Sequence, residues 1–510
     1  MNKLIKFSFL FLFAGLTACG SLDEEILGSF TEDFDPENQG VGIKNNVNKA
    51  SPNDGLSGAF GSLLNGTANH FNYFTINELA SDEAVITQKG GDWFDGGILI
   101  DLHRHNFSAG NPMSNEAWRT AYDGISQCNL LIAGNTTTAQ KAQVRMVRAY
   151  LYWRLLDSFG RVKIITAPGV DQPQATRAEV YNFVVSELNA IKDVLPAGRA
   201  DYGRASQAAA NALLSRVYLN AKEYSGTTKY DEAIAAADAV INSGVYDLDP
   251  DYKDVFAPDN VDNIEHIFIA AFDESTGGGM NLAQMTLHYP SQLTFRLQQQ
   301  PWNGYSTLEE FFNLYQDGDE RKANNFIYGP QKDFNGNPIL DLAFDKGDPD
   351  GAEINYTPKI NMLQPNGSRQ AGARFGKFSF KAGQSPNMDN DFPLLRYAEV
   401  LLNKAEALCR KNADWNNASA RAIVNQLRAR AGASAFASMT ESDYLAERGR
   451  ELFLETLRRT DLIRYGKFGN AWWEKPAHSN ANLSLFPIPT PQIQASQSEA
   501  NKLTQNPGYN

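Results

Sequence analysis

A chain of 510 residues, 42% of them hydrophobic and 11% aromatic, is long enough to bury a large core as one or two domains. Its 59 acidic residues against 46 basic ones give a formal charge of −13, which sets nucleic acid aside as a partner. Three cysteines in 510 residues leave no room for a disulfide framework.

The chain opens with Lys3 and Lys6, then the apolar run Phe7 to Ala14, then Leu16-Thr17-Ala18-Cys19. That is the layout of a signal peptide over residues 1–18. Cleavage before Cys19 and acylation of its thiol would tether the protein to a membrane outside the cytoplasm, since two or more acyl chains anchor stably where one does not. Removing Lys3 and Lys6 leaves 44 basic residues against the 59 acidic ones, a formal charge of −15. Residues 19–35, with Asp23-Glu24-Glu25, read as an acidic linker behind the anchor, either a solvated spacer or an export tag. No later stretch reaches the ~20 apolar residues that span a bilayer, so the lipid is the membrane contact expected.

Over residues 36–510 the texture alternates. Residues 60–110 and 260–390 are irregular and loop-rich, whereas 115–245 and 394–467 carry apolar residues at three- and four-residue steps. The spacing predicts helices over Asn115 to Leu131, Ala139 to Asp157, Ala178 to Val194, Ser206 to Tyr224 and Tyr230 to Ile241. Later helices are predicted over Leu394 to Arg410, Ala418 to Ala431 and Glu441 to Leu457. The Ala-rich pair on either side of the Ser225-Gly226-Thr227-Thr228 turn has the small facing residues of tetratricopeptide helix pairs. Cys128 and Cys409 fall in apolar helical settings and read as buried free thiols. The signs in Glu447-Arg448-Gly449-Arg450-Glu451 suit buried or semi-buried pairs within the scaffold. The fold expected is mostly α, a helical scaffold carrying a loop-rich part, and recognition residues usually sit on such loops.

Catalytic motifs are absent: no G-x-S-x-G elbow, no G-x-x-x-x-G-K-[ST] loop and no H-E-x-x-H helix. His103 and His105 would share one face of a strand, which suits either a metal or two satisfied polar side chains. Lys346 stands where the first carboxylate of a calcium loop belongs. Asp92 and Asp95 form an acid pair of the kind glycoside hydrolysis uses, but their separation is not legible. The expectation is a protein with no catalytic residue, no metal and no cofactor.

Two loops have binding character. Asp82-Glu83 through Lys89-Gly90-Gly91-Asp92-Trp93-Phe94-Asp95-Gly96-Gly97 places aromatics among glycines and carboxylates; Met285 to Tyr305 contains Tyr289 and Pro301-Trp302-Asn303-Gly304-Tyr305. Sugar rings stack apolar C–H faces on indoles while Asp, Asn and Arg take hydroxyls. Trp93 and Trp302 suit ligand contact or local packing equally, whereas Phe94 reads as a core plug of its loop. Trp118, Trp153, Trp472 and Trp473 lie in or beside helical patterns and read as core.

The order of several segments resembles the SusD/RagB nutrient-uptake lipoproteins of Bacteroidetes. They are Arg148-Ala149-Tyr150-Leu151-Tyr152-Trp153, Leu395-Arg396-Tyr397-Ala398-Glu399, Leu427-Arg428-Ala429-Arg430-Ala431-Gly432, Asp461-Leu462-Ile463-Arg464 and Gln505-Asn506-Pro507-Gly508-Tyr509. Lys163, Tyr465 and Gln492 depart from the pattern. The resemblance implies about four tetratricopeptide-like helix pairs and an outer-membrane, surface-facing protein that binds oligo- or polysaccharide and caps a SusC-like TonB-dependent transporter. It also implies Trp93 and Trp302 as stacking residues and Asp82, Asp92 and Arg374 as polar or charged partners; Tyr289 and Tyr305 are candidates from the second loop itself, where packing competes with ligand contact more than at Trp302. A protein-interaction scaffold without glycan binding is the second reading and a glycoside hydrolase the third.

Overall fold

A computed structural model describes residues 52–276, 279–341, 351–496 and 499–509. The signal segment, Cys19, the acidic linker and Lys346 lie outside the described residues.

Eight helices of twelve or more residues dominate the described chain: α1 (Pro112–Ala133), α2 (Thr138–Ser158), α3 (Arg177–Ile191), α4 (Gln207–Leu219), α5 (Tyr230–Ile241), α6 (Tyr397–Asn412), α7 (Ala418–Arg430) and α8 (Glu441–Leu452). Most begin where a side chain satisfies the first free backbone N–H groups. Asn111 accepts from Met113 N at 2.9 Å ahead of Pro112. Thr137 with Gln140, Thr176 with Glu179 and Thr440 with Asp443 close reciprocal capping boxes. Consecutive helices from α1 through α7 pack on one another, and α6 also meets α8. The result is a mostly α, tetratricopeptide-like stack. Ala209, Ala212, Ala233 and Ala237 are buried, and α4 and α5 pack closely through such small side chains.

Residues 242–396 separate α5 from α6 in sequence, yet those two helices are neighbours in the stack. The long irregular segment is therefore an insertion that leaves the scaffold and returns to it. The strands that hold it are short. β1 (Ala84–Ile86) pairs antiparallel with β3 (Tyr305–Thr307), and β2 (His266–Ala270) with β4 (Phe392–Arg396). The helix predicted from Leu394 thus begins three residues later, because 392–396 is paired with β2 and Arg396 turns the chain into α6.

The helix predicted to Leu457 ends at Leu452. Beyond it Leu454 and Thr456 take left-handed φ values of 58° and 60°. Their N–H groups donate to Glu83 Oε2 at 3.1 Å and Glu78 Oε1 at 2.9 Å, so two buried carboxyls hold the turn. The charged run on α8 is internal: Glu447, Arg448, Arg450 and Glu451 are all buried. Glu451 meets Arg321 and Arg396, each at 2.8 Å, and Arg430 at 2.5 Å; Glu447 meets Arg321 at 2.8 Å and Arg428 at 2.7 Å. These ion pairs join α8 to the insertion and to β4. Losing one partner of such a buried pair costs about 3–5 kcal/mol.

Cys128 and Cys409 are buried free thiols. Trp118 and Trp153 are core residues, and Trp472 and Trp473 pack against the core while partly exposed. No helix among the described residues is long and apolar enough to cross a membrane.

Candidate functional site

Two chain exits meet at one end of the β1–β3 ribbon, where Ile86 stands opposite Tyr305. The loop leaving β1 and the segment entering β3 therefore run side by side, which brings Trp93 and Trp302 together across 209 residues of sequence. The Trp93 indole Nε1 donates to the Trp302 carbonyl at 2.6 Å. His70 lies between them, its ring centroid 4.8 Å from that of Trp302 and 6.4 Å from that of Trp93, both edge-on. These three rings, with Phe71, Asp92, Asp95, Met113, Tyr289, Gln300 and Pro301, line an open cleft of about 720 Å³.

The loops hold these rings through backbone and buried polar groups. Lys89 N and Asp92 N donate to each other's carbonyls at 3.0 and 3.1 Å, closing a tight turn, and Gly90 N donates to the Pro365 carbonyl at 3.0 Å. Lys89 is buried, with Nζ donating to the Thr87 and Gly304 carbonyls at 3.2 and 3.1 Å. Opposite, Trp302 N, Asn303 N and Gly304 N donate to the carbonyls of Gln284, Leu287 and Met285 at 2.7, 2.9 and 2.8 Å. Trp93, Asp95 and Asn303 sit at φ values of 61°, 43° and 55°, a left-handed conformation that costs a side-chain-bearing residue free energy. Their concentration at the cleft is the pattern of a site held open against local preference. Gly304 allows the closest approach: a Cβ there would stand 2.6 Å from Trp93 Cζ2 and 2.8 Å from the Met285 carbonyl.

A polar triad flanks the indoles. Arg369 Nη1 donates to Asp92 Oδ2 at 2.8 Å and to Tyr289 Oη at 2.7 Å, and Tyr289 Oη donates to Asp92. Partial burial works to raise the Asp92 carboxyl, but the bonds from Tyr289 and Arg369 outweigh it and hold it below the usual carboxylate range. Burial, then the Asp92 carboxylate, push the Tyr289 hydroxyl up to about 12. Burial holds His70 below its ordinary value, against the raising effects of Asn281 and Asp95. At neutral pH the cleft therefore presents an ionised Asp92, a neutral phenol and a neutral imidazole.

Of the residues expected from sequence, Trp93, Trp302, Asp92 and Tyr289 come together here. Three do not. Arg374 is fully buried, its guanidinium donating to the Arg369 and Tyr305 carbonyls and lying 4.8 Å over the Tyr356 ring. Tyr305 is fully buried on β3, its hydroxyl 2.8 Å from Thr75 Oγ1. Asp82 places its two carboxylate oxygens on Arg458 at 2.6 and 2.8 Å, bracing the turn after α8. The strand expected under His103 and His105 is instead a helix end and the turn after it. His105 meets Ala80 O at 3.1 Å and His478 at 2.9 Å and is satisfied within the protein, whereas His103 meets the Trp473 carbonyl through Nε2 at 2.8 Å and its buried Nδ1 has no hydrogen-bond partner. Phe94, expected as a plug, is 45% exposed.

His70, Gln300 and Arg369 have no local sequence signal, because only tertiary packing places them beside the indoles. Asp95 and the exposed Phe71 and Phe94 stand in glycine- and asparagine-rich loops, the setting in which exposure is expected.

A model described as the SusD family matches residues 264–483, and one described as starch-binding associating with outer membrane matches residues 71–219. The chain is 27% identical over 486 residues to the starch-binding protein SusD of Bacteroides thetaiotaomicron, covering 86% of this chain and 85% of that one. It is 26% identical over 460 residues to SusD-like protein P2 of Formosa agariphila, covering 82% and 85%. Among solved structures, a laminarin-binding SusD-like protein superposes with a TM-score of 0.70 at 23% identity, covering 89% of this chain and 98% of that one. Surface glycan-binding protein A from Bacteroides thetaiotaomicron, in complex with laminarihexaose, superposes with a TM-score of 0.68 at 21% identity, covering 88% and 98%.

Proposed function

The chain belongs to the SusD family, and on that footing we propose that it is a glycan-binding lipoprotein of the outer membrane, anchored through Cys19 and facing the cell exterior. It catches oligo- or polysaccharide in the Trp93–Trp302 cleft and passes it to a SusC-like TonB-dependent transporter, over which it acts as a lid. The observation that carries the reading is the pair of indoles, joined by the Trp93 Nε1 to Trp302 carbonyl bond and held in an open cleft on left-handed backbone. Partly exposed indoles beside exposed polar groups are what a sugar face and its hydroxyls require.

The reading is one of binding without turnover. A retaining or inverting glycosidase needs a carboxyl whose pKa is raised so that it can protonate the leaving oxygen. Asp92 is held in the opposite direction by Arg369 and Tyr289. Calorimetry against a panel of soluble glycans tests the proposal: at least one glycan binds, Trp93→Ala or Trp302→Ala abolishes the heat, and no reducing ends are released. A folded protein that gives no heat with any glycan, or whose binding survives both substitutions, overturns it.

A further inference from the structure

The indole cleft does not end at its own rim. A second cleft of about 500 Å³ adjoins it, and Tyr289 and Gln300 line both. The chemistry of the two differs. The first carries the rings of His70, Trp93 and Trp302, whereas the second offers Pro290, Leu293, Pro338 and Leu340, with no aromatic ring beyond that of Tyr289 among the described residues. Leu293 and Leu340 are 57% and 48% exposed. Single exposed leucines need no explanation, but two of them lining one cleft beside two prolines form an apolar patch of the kind that marks a contact surface.

The second cleft is held in place by bonds of its own. Phe334 N donates to the Leu293 carbonyl at 3.0 Å, which ties its two walls together. Ile339 is buried with Ile354 and Tyr356 in a small apolar cluster separate from the main core. The Tyr356 hydroxyl accepts from His288 N at 2.9 Å and meets Ser291 Oγ at 2.6 Å. One buried tyrosine thus fixes both the segment that carries Leu340 and the turn that carries Tyr289 and Leu293. Gln300 stands at the junction of the clefts, exposed, and its side-chain amide makes no hydrogen bond to the described residues. Both its donor and its acceptor are open to the hydroxyls of a ligand.

We propose that the second cleft is a further subsite for the same glycan chain, taken by sugars beyond those that stack on Trp93 and Trp302, so that affinity rises with chain length. The inference rests on the glycan-binding reading and adds a second site and a length requirement to it. Continuity identifies the occupant: a chain leaving the indoles past Tyr289 meets the free amide of Gln300 and then the leucine and proline wall. Each cleft alone lies in the range of about 300–1,000 Å³ that holds one small ligand, so the two together suit a longer one. Aliphatic side chains touch sugar C–H faces through dispersion without the directional stacking of an indole. The second cleft therefore strengthens the hold on a chain already caught at the first.

The test is calorimetry on the full mature chain with neutral malto-, laminari- and xylo-oligosaccharides graded from disaccharide to octasaccharide. In a series that binds, we expect Kd to fall about tenfold once the ligand is long enough to cross Tyr289, the order of gain from partly covering two exposed leucines. The double variant Leu293→Ala, Leu340→Ala should erase that gain and leave Kd for the shortest bound member unchanged, with circular dichroism establishing that it is folded. A Kd independent of length overturns the inference and leaves the glycan-binding reading standing. A gain that survives the double variant also overturns it, because the larger number of binding registers or contacts elsewhere would then account for it. A wild-type chain that sediments as a dimer beside a monomeric double variant would assign the patch to a second copy of the chain and overturn it likewise. Absence of binding at every length overturns both readings together.

Discussion

Adding one methyl group at Gly304 should disable the cleft without removing any ring or polar group from it. The built Cβ would lie 2.6 Å from Trp93 Cζ2 and 2.9 Å from Cε2. Ordinary contact begins near 3.4 Å, so in Gly304→Ala the indole must retreat by about 0.8 Å. The Trp93 Nε1 to Trp302 carbonyl bond, now 2.6 Å, would then lengthen to about 3.4 Å, at the weak limit of hydrogen bonding. The adjacent Met285 carbonyl, at 2.8 Å, cannot yield cheaply because it accepts from Gly304 N. Overpacking of this kind costs about 1–3 kcal/mol of stability, a modest fall in Tm for a chain this long. Binding should suffer more visibly: displacing one stacking platform at about 2 kcal/mol weakens Kd roughly thirtyfold. Calorimetry with the best-bound neutral glycan, beside circular dichroism to establish folding, reads both effects. A double-mutant cycle on stability isolates the cause, since the overpacking cost of Gly304→Ala should be smaller in a Trp93→Ala background, where the indole is gone. A folded Gly304→Ala protein with wild-type Kd would refute the placement of Trp93 as a stacking platform.

Arg369→Gln should weaken neutral glycan binding three- to tenfold, and carboxyl NMR should show the Asp92 titration moving up once its cation is gone; an unmoved Asp92 would contradict the triad. Arg374→Met should lower stability by about 2–4 kcal/mol, because the buried Arg369 and Tyr305 carbonyls lose their donor. An Arg374→Met protein that melts like wild type but no longer binds glycan would return Arg374 to the ligand site. Burial holds the Glu78 and Glu83 carboxyls above their ordinary range; the Glu78 charge raises Glu83 further, whereas the hydrogen bond with Glu83 works to lower Glu78. The folded state therefore keeps protons that the unfolded chain releases, and stability falls as pH rises from the usual glutamate value of about 4.3 through neutrality. Glu78→Gln should match wild type near pH 5 and exceed it near pH 8 by on the order of 1–2 kcal/mol in denaturant unfolding; an unchanged pH slope would sink the idea of a proton-sharing pair.

The scaffold was legible because helix formation is local. Periodicity located every long helix, and the reciprocal caps Thr137 with Gln140, Thr176 with Glu179 and Thr440 with Asp443 are written three residues apart. The errors fell where a distant partner overrides propensity. Leu394 and Leu395 continue a helical pattern, yet β2 captures them into a strand. Residues 453–456 continue another, yet Glu78 and Glu83, more than 370 positions away, take the N–H groups of Leu454 and Thr456 and stop it.

The site was half legible for a related reason. Glycines at 90, 91, 96 and 97 mark a loop whose backbone visits left-handed conformations, and an indole among them is a poor candidate for a packed helix face. What the residue types do not encode is which polar side chain faces the ligand and which faces the protein. Asp82 and Asp92 are equally acidic loop residues, but Arg458 reaches the first from the scaffold and Arg369 holds the second at the cleft. Arg374 and Arg369 stand five residues apart, and the one that looked available is the one wholly inside. Its burial has its own effect on binding: by donating to the Arg369 carbonyl it fixes the backbone from which the Arg369 guanidinium reaches Asp92 and Tyr289. Arg374 thus acts on the cleft at one remove, and its substitution should alter binding together with stability rather than binding alone.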